Sequence, residues 1–400
     1  MEDTPIDLHA AWERLEAAVQ PLGRERVPLS AAGGRVLAAP VDVDRDQPPF
    51  DRAAMDGYAV QAAALAGASA AAPVRLPVVG EATPGAPWAG DPGRGAVRIM
   101  TGAPLPAGCD TIVPVEDTSG FGTDVVAVRI AQPPGKHIVW RAEERRCGET
   151  LLQAGHRLRA ADLGMLSAVG LATVVVGRQP RVAVLVTGSE LVPAAAAPGP
   201  AQIRDANGAL LAALAAPYAA SLTPLGIVRD DPAALGEQID RGLAHDVLLV
   251  SGGVSMGAYD FVTPVLAARA VRVHFRRVAI QPGKPTAFAT HARGCVLALP
   301  GNPVSALTAF RLFAAVVLRL LEGETQARPL WQQVRADFAW ERVHRRWLFL
   351  PVRRTPAGIE RVPYAGSGDL MAYARAEGQV VLAPDVARVA VGEPVTFWPL

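Results

Sequence analysis

Four hundred residues exceed what one ordinary core organises, so two to four domains are expected. Half the residues are hydrophobic and 19% are charged, which excludes a disordered chain. A formal net charge of +1 provides no global field for nucleic acid or an anionic membrane, so any anion must be captured locally.

The start, Met1 to Trp12, carries Glu2, Asp3 and Asp7 and lacks the basic-then-apolar order of a signal peptide. Thr4-Pro5 followed by Asp7 reads as an N-cap, a first-turn proline and an acidic first turn. Leu8, Trp12, Leu15 and Val19 recur at helical spacing and form an apolar stripe that needs a partner. From about residue 46, closely spaced prolines punctuate short apolar runs (74–80, 96–100 and 125–130), the pattern of a small β domain. A helical connection over 159–169 leads to a strand at 172–176.

From Arg181 to about Gly323 the pattern is strand, loop, helix, repeated, which predicts a mainly parallel α/β sheet. Strands are expected at 182–187, 247–250 and 296–299. Asp231-Pro232 opens a helix with Leu235, Ile239 and Leu243, and a long helix carries Leu307, Phe310, Val317 and Leu321. Residues 331–400 return to short runs and turns, a C-terminal β domain. No uninterrupted apolar run approaches the roughly 18–20 residues of a membrane span. Cys109, Cys147 and Cys295 are too scattered for a disulfide framework or a CxxC site. The expectation is a soluble, cytoplasmic protein.

In an open parallel sheet, ligands sit beyond the carboxyl ends of the strands. Here those ends carry Gly188-Ser189-Glu190, then Ser251-Gly252-Gly253-Val254-Ser255-Met256-Gly257 with Asp260 beyond, and Pro300-Gly301-Asn302-Pro303-Val304-Ser305. Glycines let backbone amides approach an anion, and serine hydroxyls add donors, so a phosphate is the natural guest. Neither GxxxxGK[ST] nor GxGxxG is matched. Arg277 and Lys284 add two cations, with Lys284 pinned between Gly283 and Pro285.

The acids Glu190, Asp205, Asp230 and Asp260 stand in the same region, while Asp56 and Glu144 lie in the β domain. Each also has a plain structural explanation: helix capping for Asp230 and Asp231, an Asx turn for Asp205, a turn before glycine for Asp56. Carboxylates beside anion-binding loops make sense together only if a hard cation such as Mg²⁺ joins them. There is no HExxH, which argues against a zinc hydrolase.

The segments 54–59, 99–104 with Pro114-Val115-Glu116, 187–191, 226–231, 251–257 with Asp260, 282–285 and 300–305, in this order, resemble the motifs of the molybdopterin molybdenumtransferase family. The homologous domain of gephyrin carries the same set. The resemblance implies a four-part homodimeric subunit. It would have a helical part (1–45 with 148–180), a small β domain (46–147), a three-layer α/β molybdopterin-binding domain (181–326) and a C-terminal β-barrel-like domain (327–400). It implies insertion of molybdate into adenylylated molybdopterin with release of AMP, using Mg²⁺ held by Glu190, Asp230 and Asp260. Partners would be an adenylylating protein and apo-molybdoenzymes, with no nucleic acid and no membrane.

Carried over residue by residue, the catalytic group comprises Asp260, Glu190, Asp230, Asp56 and Lys284. Substrate contacts fall to Ser251, Gly252, Gly253, Ser255, Thr101, Glu144, Arg277, Gln281, Pro300, Gly301, Asn302, Ser305, Arg346 and Ser367. Gln281, Ser189 and Ala258 depart from the lysine, aspartate and glutamate frequent in the family. Two other readings stay open: a pterin-binding scaffold of the same fold, and a pyrophosphatase-type nucleotide hydrolase.

Overall fold

The computed structural model describes residues 4–122, 124–253 and 262–400. These fall into two compact units, one comprising residues up to 39 with 154–163 and 172–400, the other 40–153 with 164–171.

The first unit is built on a six-stranded sheet ordered Ser221–Val228, Arg181–Thr187, Val247–Ser251, Gly294–Leu299, Ala287–His291, Arg272–Phe275. The first four strands are mutually parallel, and the last two join by antiparallel pairing. Alternation along Arg181–Thr187 divides the core. Val182 and Val184 pack with Leu211, Phe310 and Val317 on one face. Ala183 and Leu185 pack with Leu235, Ile239 and Leu266 on the other. A central strand covered on both sides must be apolar at every position, which is why it reads as an unbroken run.

The helix expected at the N-terminus begins later than the sequence suggests. It spans Leu8–Ala18, and Asp7 is its cap, accepting from His9 N–H at 2.8 Å. Ile6 is held in a β-bridge with Val278, which keeps the residues before Asp7 extended and prevents Pro5 from opening the helix. The stripe finds its partner within the unit: Leu8, Trp12, Leu15 and Val19 are buried, and Trp12 Nε1 donates to the Leu312 carbonyl at 2.8 Å. That carbonyl belongs to the helical run Pro303–Leu321, which passes through a π turn at Phe310–Ala314. By length and composition this run could cross a membrane, but Arg311 and Arg319 interrupt it and it is mostly buried as the unit's core helix.

The C-terminal sheet orders Ile280–Gln281, Trp347–Thr355, Gly378–Leu382, Pro394–Pro399 and Gln332–Arg335, with Gly358–Arg361 also paired to Trp347–Thr355. A bridge between Ala336 and Ile359 joins its outer members, giving the barrel-like closure. Its edge strand Ile280–Gln281 comes from the α/β part of the chain and runs parallel to Trp347–Leu348.

The second unit carries a five-stranded sheet ordered Thr111–Pro114, Gly57–Val60, Ala96–Ile99, Val74–Ala82, Val125–Val128. Gly57 is required there, because a Cβ would stand 2.0 Å from the Val113 carbonyl oxygen.

Candidate active site

The carboxyl ends of the parallel strands open onto a cavity of about 760 Å³. Its walls come from the three loops that the sequence singles out, together with Gln281–Pro285, Arg346 and Ser367.

On one side stand the acids. Gly188 follows its strand and donates to the Val228 carbonyl, which brings Ser189 against Asp230. Asp230 Oδ2 accepts from Ser189 N–H at 3.2 Å and from its hydroxyl at 3.3 Å. The Asp230 amide donates back to Ser189 Oγ at 3.1 Å. A serine at 189 therefore buttresses the acid, where a second carboxylate would repel it. Glu190 folds back over Gly188, where a Cβ would meet its carboxylate at 2.8 Å. Asp231, the next residue, does the capping, accepting from Ala234 N–H at 2.8 Å, so Asp230 is left to the cavity wall. Asp205 makes the turn expected of it, accepting from Gly208 N–H at 2.9 Å.

On the other side stand the cations. Lys284 and Arg346 line the cavity, and neither has a carboxylate partner among the described residues. Parallel pairing of Gln281 with Leu348 sets Gln281 beside Arg346, whose Nη2 donates to Gln281 Oε1 at 3.0 Å. The glutamine thus aims the guanidinium without neutralising it. Asn302 precedes Pro303–Ala309 but does not cap that helix with its side chain; its Nδ2 donates to Ser367 Oγ at 2.8 Å. Val304 N–H donates to the Ser367 carbonyl, so the C-terminal β region is docked on the first turn of this helix. Helix N-termini favour anions.

Between the two sides lie the glycine turns. Gly252 adopts φ +93° and would place a Cβ 2.4 Å from the Thr187 carbonyl oxygen; only glycine fits. Pro300, Gly301 and Ser305 complete the lining. Ser251 lines the cavity with its side chain fully buried, and its hydroxyl donates inward to the Pro300 carbonyl at 3.2 Å.

Arg277 is expected here from the sequence; its carbonyl accepts from Ile6 N–H at 3.0 Å, because this stretch bridges to the N-terminal segment. Asp260 and Ser255, with Val254, Met256, Gly257 and Ala258, lie outside the described residues. Asp56, Thr101 and Glu144 belong to the second unit. There, register pairing of Gly57 with Ile99 sets Asp56 near Thr101. Asp56 Oδ1 accepts from Thr101 N–H at 2.6 Å and from its hydroxyl at 2.7 Å, and these donors hold its carboxyl below the usual range. Glu144 pairs instead with Arg52 at 3.0 Å.

Asn207 is what sequence reasoning missed. It opens the helix Asn207–Ala215 on the cavity wall and is only 6% exposed. The available signal was a lone amide at the start of an otherwise apolar helix.

Three stretches of the chain match family profiles. Residues 6–170 match the "MoeA N-terminal region (domain I and II)", 183–320 the "Probable molybdopterin binding domain", and 333–400 the "MoeA C-terminal region (domain IV)". The molybdopterin molybdenumtransferase 2 of Mycobacterium tuberculosis is 37% identical over 383 residues, 94% of either chain. The chain belongs to the molybdopterin molybdenumtransferase family. The family's Nostoc sp. member is 40% identical over 319 residues, covering 78% of this chain and 73% of that one. A molybdopterin biosynthesis moeA protein of Pyrococcus horikoshii superposes with a TM-score of 0.83 at 25% identity, covering 99% of this chain and 100% of that one. In this family member the cavity lies within the stretch matching the molybdopterin-binding profile, supplemented by Arg346 and Ser367 from the C-terminal region.

Proposed function

We propose that this chain is a molybdopterin molybdotransferase: it inserts molybdate into adenylylated molybdopterin and releases AMP. One observation carries the reading. A single cavity has Lys284 and Arg346 on one wall, without carboxylate partners among the described residues, and Glu190 and Asp230 on another. Molybdate and phosphate are both tetrahedral oxyanions, so amide turns and cations serve either one.

Mg²⁺ is part of the proposal. Among the described residues no group of three or more His, Cys, Asp or Glu side chains is gathered to hold a metal. Magnesium asks for less, since one or two carboxylates with substrate phosphate oxygens and water suffice. Glu190 and Asp230 fit that demand, with Asp260 as the expected third acid. When bound, the ion would supply charge neutralisation at the phosphoanhydride.

The chain's own groups do the remaining work. The Gly252-Gly253 turn would receive the pterin phosphate, with the 300–305 loop lining the pocket. Lys284 and Arg346 would hold the oxyanion, with Gln281 keeping the guanidinium on target. Breaking a phosphoanhydride needs positioning and charge stabilisation more than a protein nucleophile. The reading also includes a cytoplasmic homodimer, served by an adenylylating protein and handing its product to apo-molybdoenzymes.

The test is AMP release from adenylylated molybdopterin with molybdate, with and without a magnesium chelator. Release that needs both molybdate and Mg²⁺ is expected. Pterin binding without AMP release would replace the reading with a scaffold, and cleavage of free dinucleotides without pterin would replace it with a hydrolase. Normal AMP release by an Asp260→Ala variant would remove that residue from the mechanism.

A further inference from the structure

We propose that Asn207 is a positioning residue for this cavity: its carboxamide fixes the spacing between the Gly252-Gly253 turn and the Gly301-Asn302 turn, and so sets affinity for a phosphate-bearing ligand. The inference rests on the function proposed above for its kinetic arm and on geometry alone for the rest.

The two turns leave adjacent parallel strands whose ladder ends at the pairing of Ser251 with Leu299. Beyond that point only the Gly252 N–H to Leu299 carbonyl bond, at 3.1 Å, continues the main-chain connection among the described residues. Side chains take over from there. Asn207 Nδ2 donates one hydrogen to Ser251 Oγ at 2.8 Å and the other to the Gly301 carbonyl at 2.7 Å. Ser251 Oγ passes its own hydrogen to the Pro300 carbonyl. One carboxamide therefore holds both turns, and the turns are in contact, with Gly252 Cα 3.7 Å from where a Gly301 Cβ would stand. Asn207 Oδ1 is buried without a hydrogen-bond partner among the described residues, so the group acts here through its two hydrogens. Amides that bind an anion must converge on one point, and misplacement by a fraction of an ångström weakens every contact at once.

A matched control exists elsewhere in the same unit. Gln379 is fully buried and off the cavity wall; its Nε2 donates to Thr308 Oγ1 at 2.9 Å and to Tyr373 Oη at 2.7 Å, and its Oε1 likewise lacks a partner among the described residues. Gln379→Ala and Asn207→Ala each delete two buried hydrogen bonds, but only the second touches the turns.

The experiment compares wild type, Asn207→Ala, the near-isosteric Asn207→Asp and Gln379→Ala in thermal unfolding, in KM and kcat for AMP release, and in amide hydrogen exchange at residues 252, 253, 301 and 302. Both alanine variants should melt lower. The two Asn207 variants should raise KM for adenylylated molybdopterin about tenfold, with kcat changed much less, and speed exchange at the turns. Gln379→Ala should leave KM and those amides as in wild type. Equal KM increases in all variants, or an unchanged KM in the Asn207 variants, would overturn the proposal. If wild type releases no AMP, the functional reading fails, and exchange still decides: faster exchange at the turns supports the positioning role and unchanged exchange refutes it.

Discussion

The two ends of the central sheet are made of the same strands and behave differently. At the amino end, Arg181 and Asp246 close on each other: Arg181 N–H, Nε and Nη2 all reach the Asp246 carboxylate, at 2.8, 3.1 and 3.0 Å. Gly294 packs so tightly there that a Cβ would lie 2.1 Å from the Asp246 carbonyl oxygen. At the carboxyl end the strands part into glycine turns. There, among the described residues, Lys284 and Arg346 stand without carboxylates, and Thr187 Oγ1 and Asn207 Oδ1 lack partners. Strand ladders satisfy the backbone up to their last pair, and the loop residues beyond it are free to serve a ligand. Side-chain pairing closes one end of the sheet, and the other opens onto the cavity.

The comparison is sharpest if substitutions at the two ends move different observables. Lys284→Ala should have the largest effect, about a hundredfold loss in kcat/KM for AMP release with the melting temperature nearly unchanged. A large loss of stability instead would show Lys284 to be structural. Gly252→Ala should disturb both observables, because the added Cβ meets the Thr187 carbonyl and the positive φ is strained. Unfolding in denaturant should read a loss of about 2 kcal/mol or more, with KM raised.

Asp162 offers a test of paired charge by pH. The Arg159 guanidinium holds its carboxyl well below the usual range against the opposing effect of burial, and the Arg159 amide and His156 assist. A folded-state pKa below the unfolded one gives stability that is complete above the unfolded value of about 4 and is lost as pH falls through the folded value. Asp162→Asn should therefore melt below wild type at neutral pH, and melting curves should converge as pH drops below about 4. Convergence on raising the pH would refute this. Arg181→Ala should have the smallest effect: about 1 kcal/mol of stability, since the arginine is half-exposed, with KM and kcat unchanged. A change in KM would mean that the two ends are coupled.

Much of this was legible in the sequence. The unbroken apolar run at 182–187, the stripe Leu8-Trp12-Leu15-Val19 and the glycine loops after three strands predicted the sheet, the first helix and the cavity's location. The start of that helix was misread because the Ile6–Val278 bridge joins residues far apart in the chain. The inward bond of Ser251 was not legible, because a serine in a glycine-rich turn does not reveal whether its hydroxyl faces ligand or a neighbouring carbonyl.

The sequence by itself determined the periodicities and turn chemistry that make strands, helices and amide-rich loops, because those depend on neighbours a few residues away. Only the tertiary structure decided which polar groups face one another. Asn207 meets Ser251 across 44 residues and Gly301 across 94, and Gln281 meets Arg346 across 65. Such pairs are set by strand register and strand order, and one-dimensional patterns carry no distance between loops that meet only after the sheet has formed.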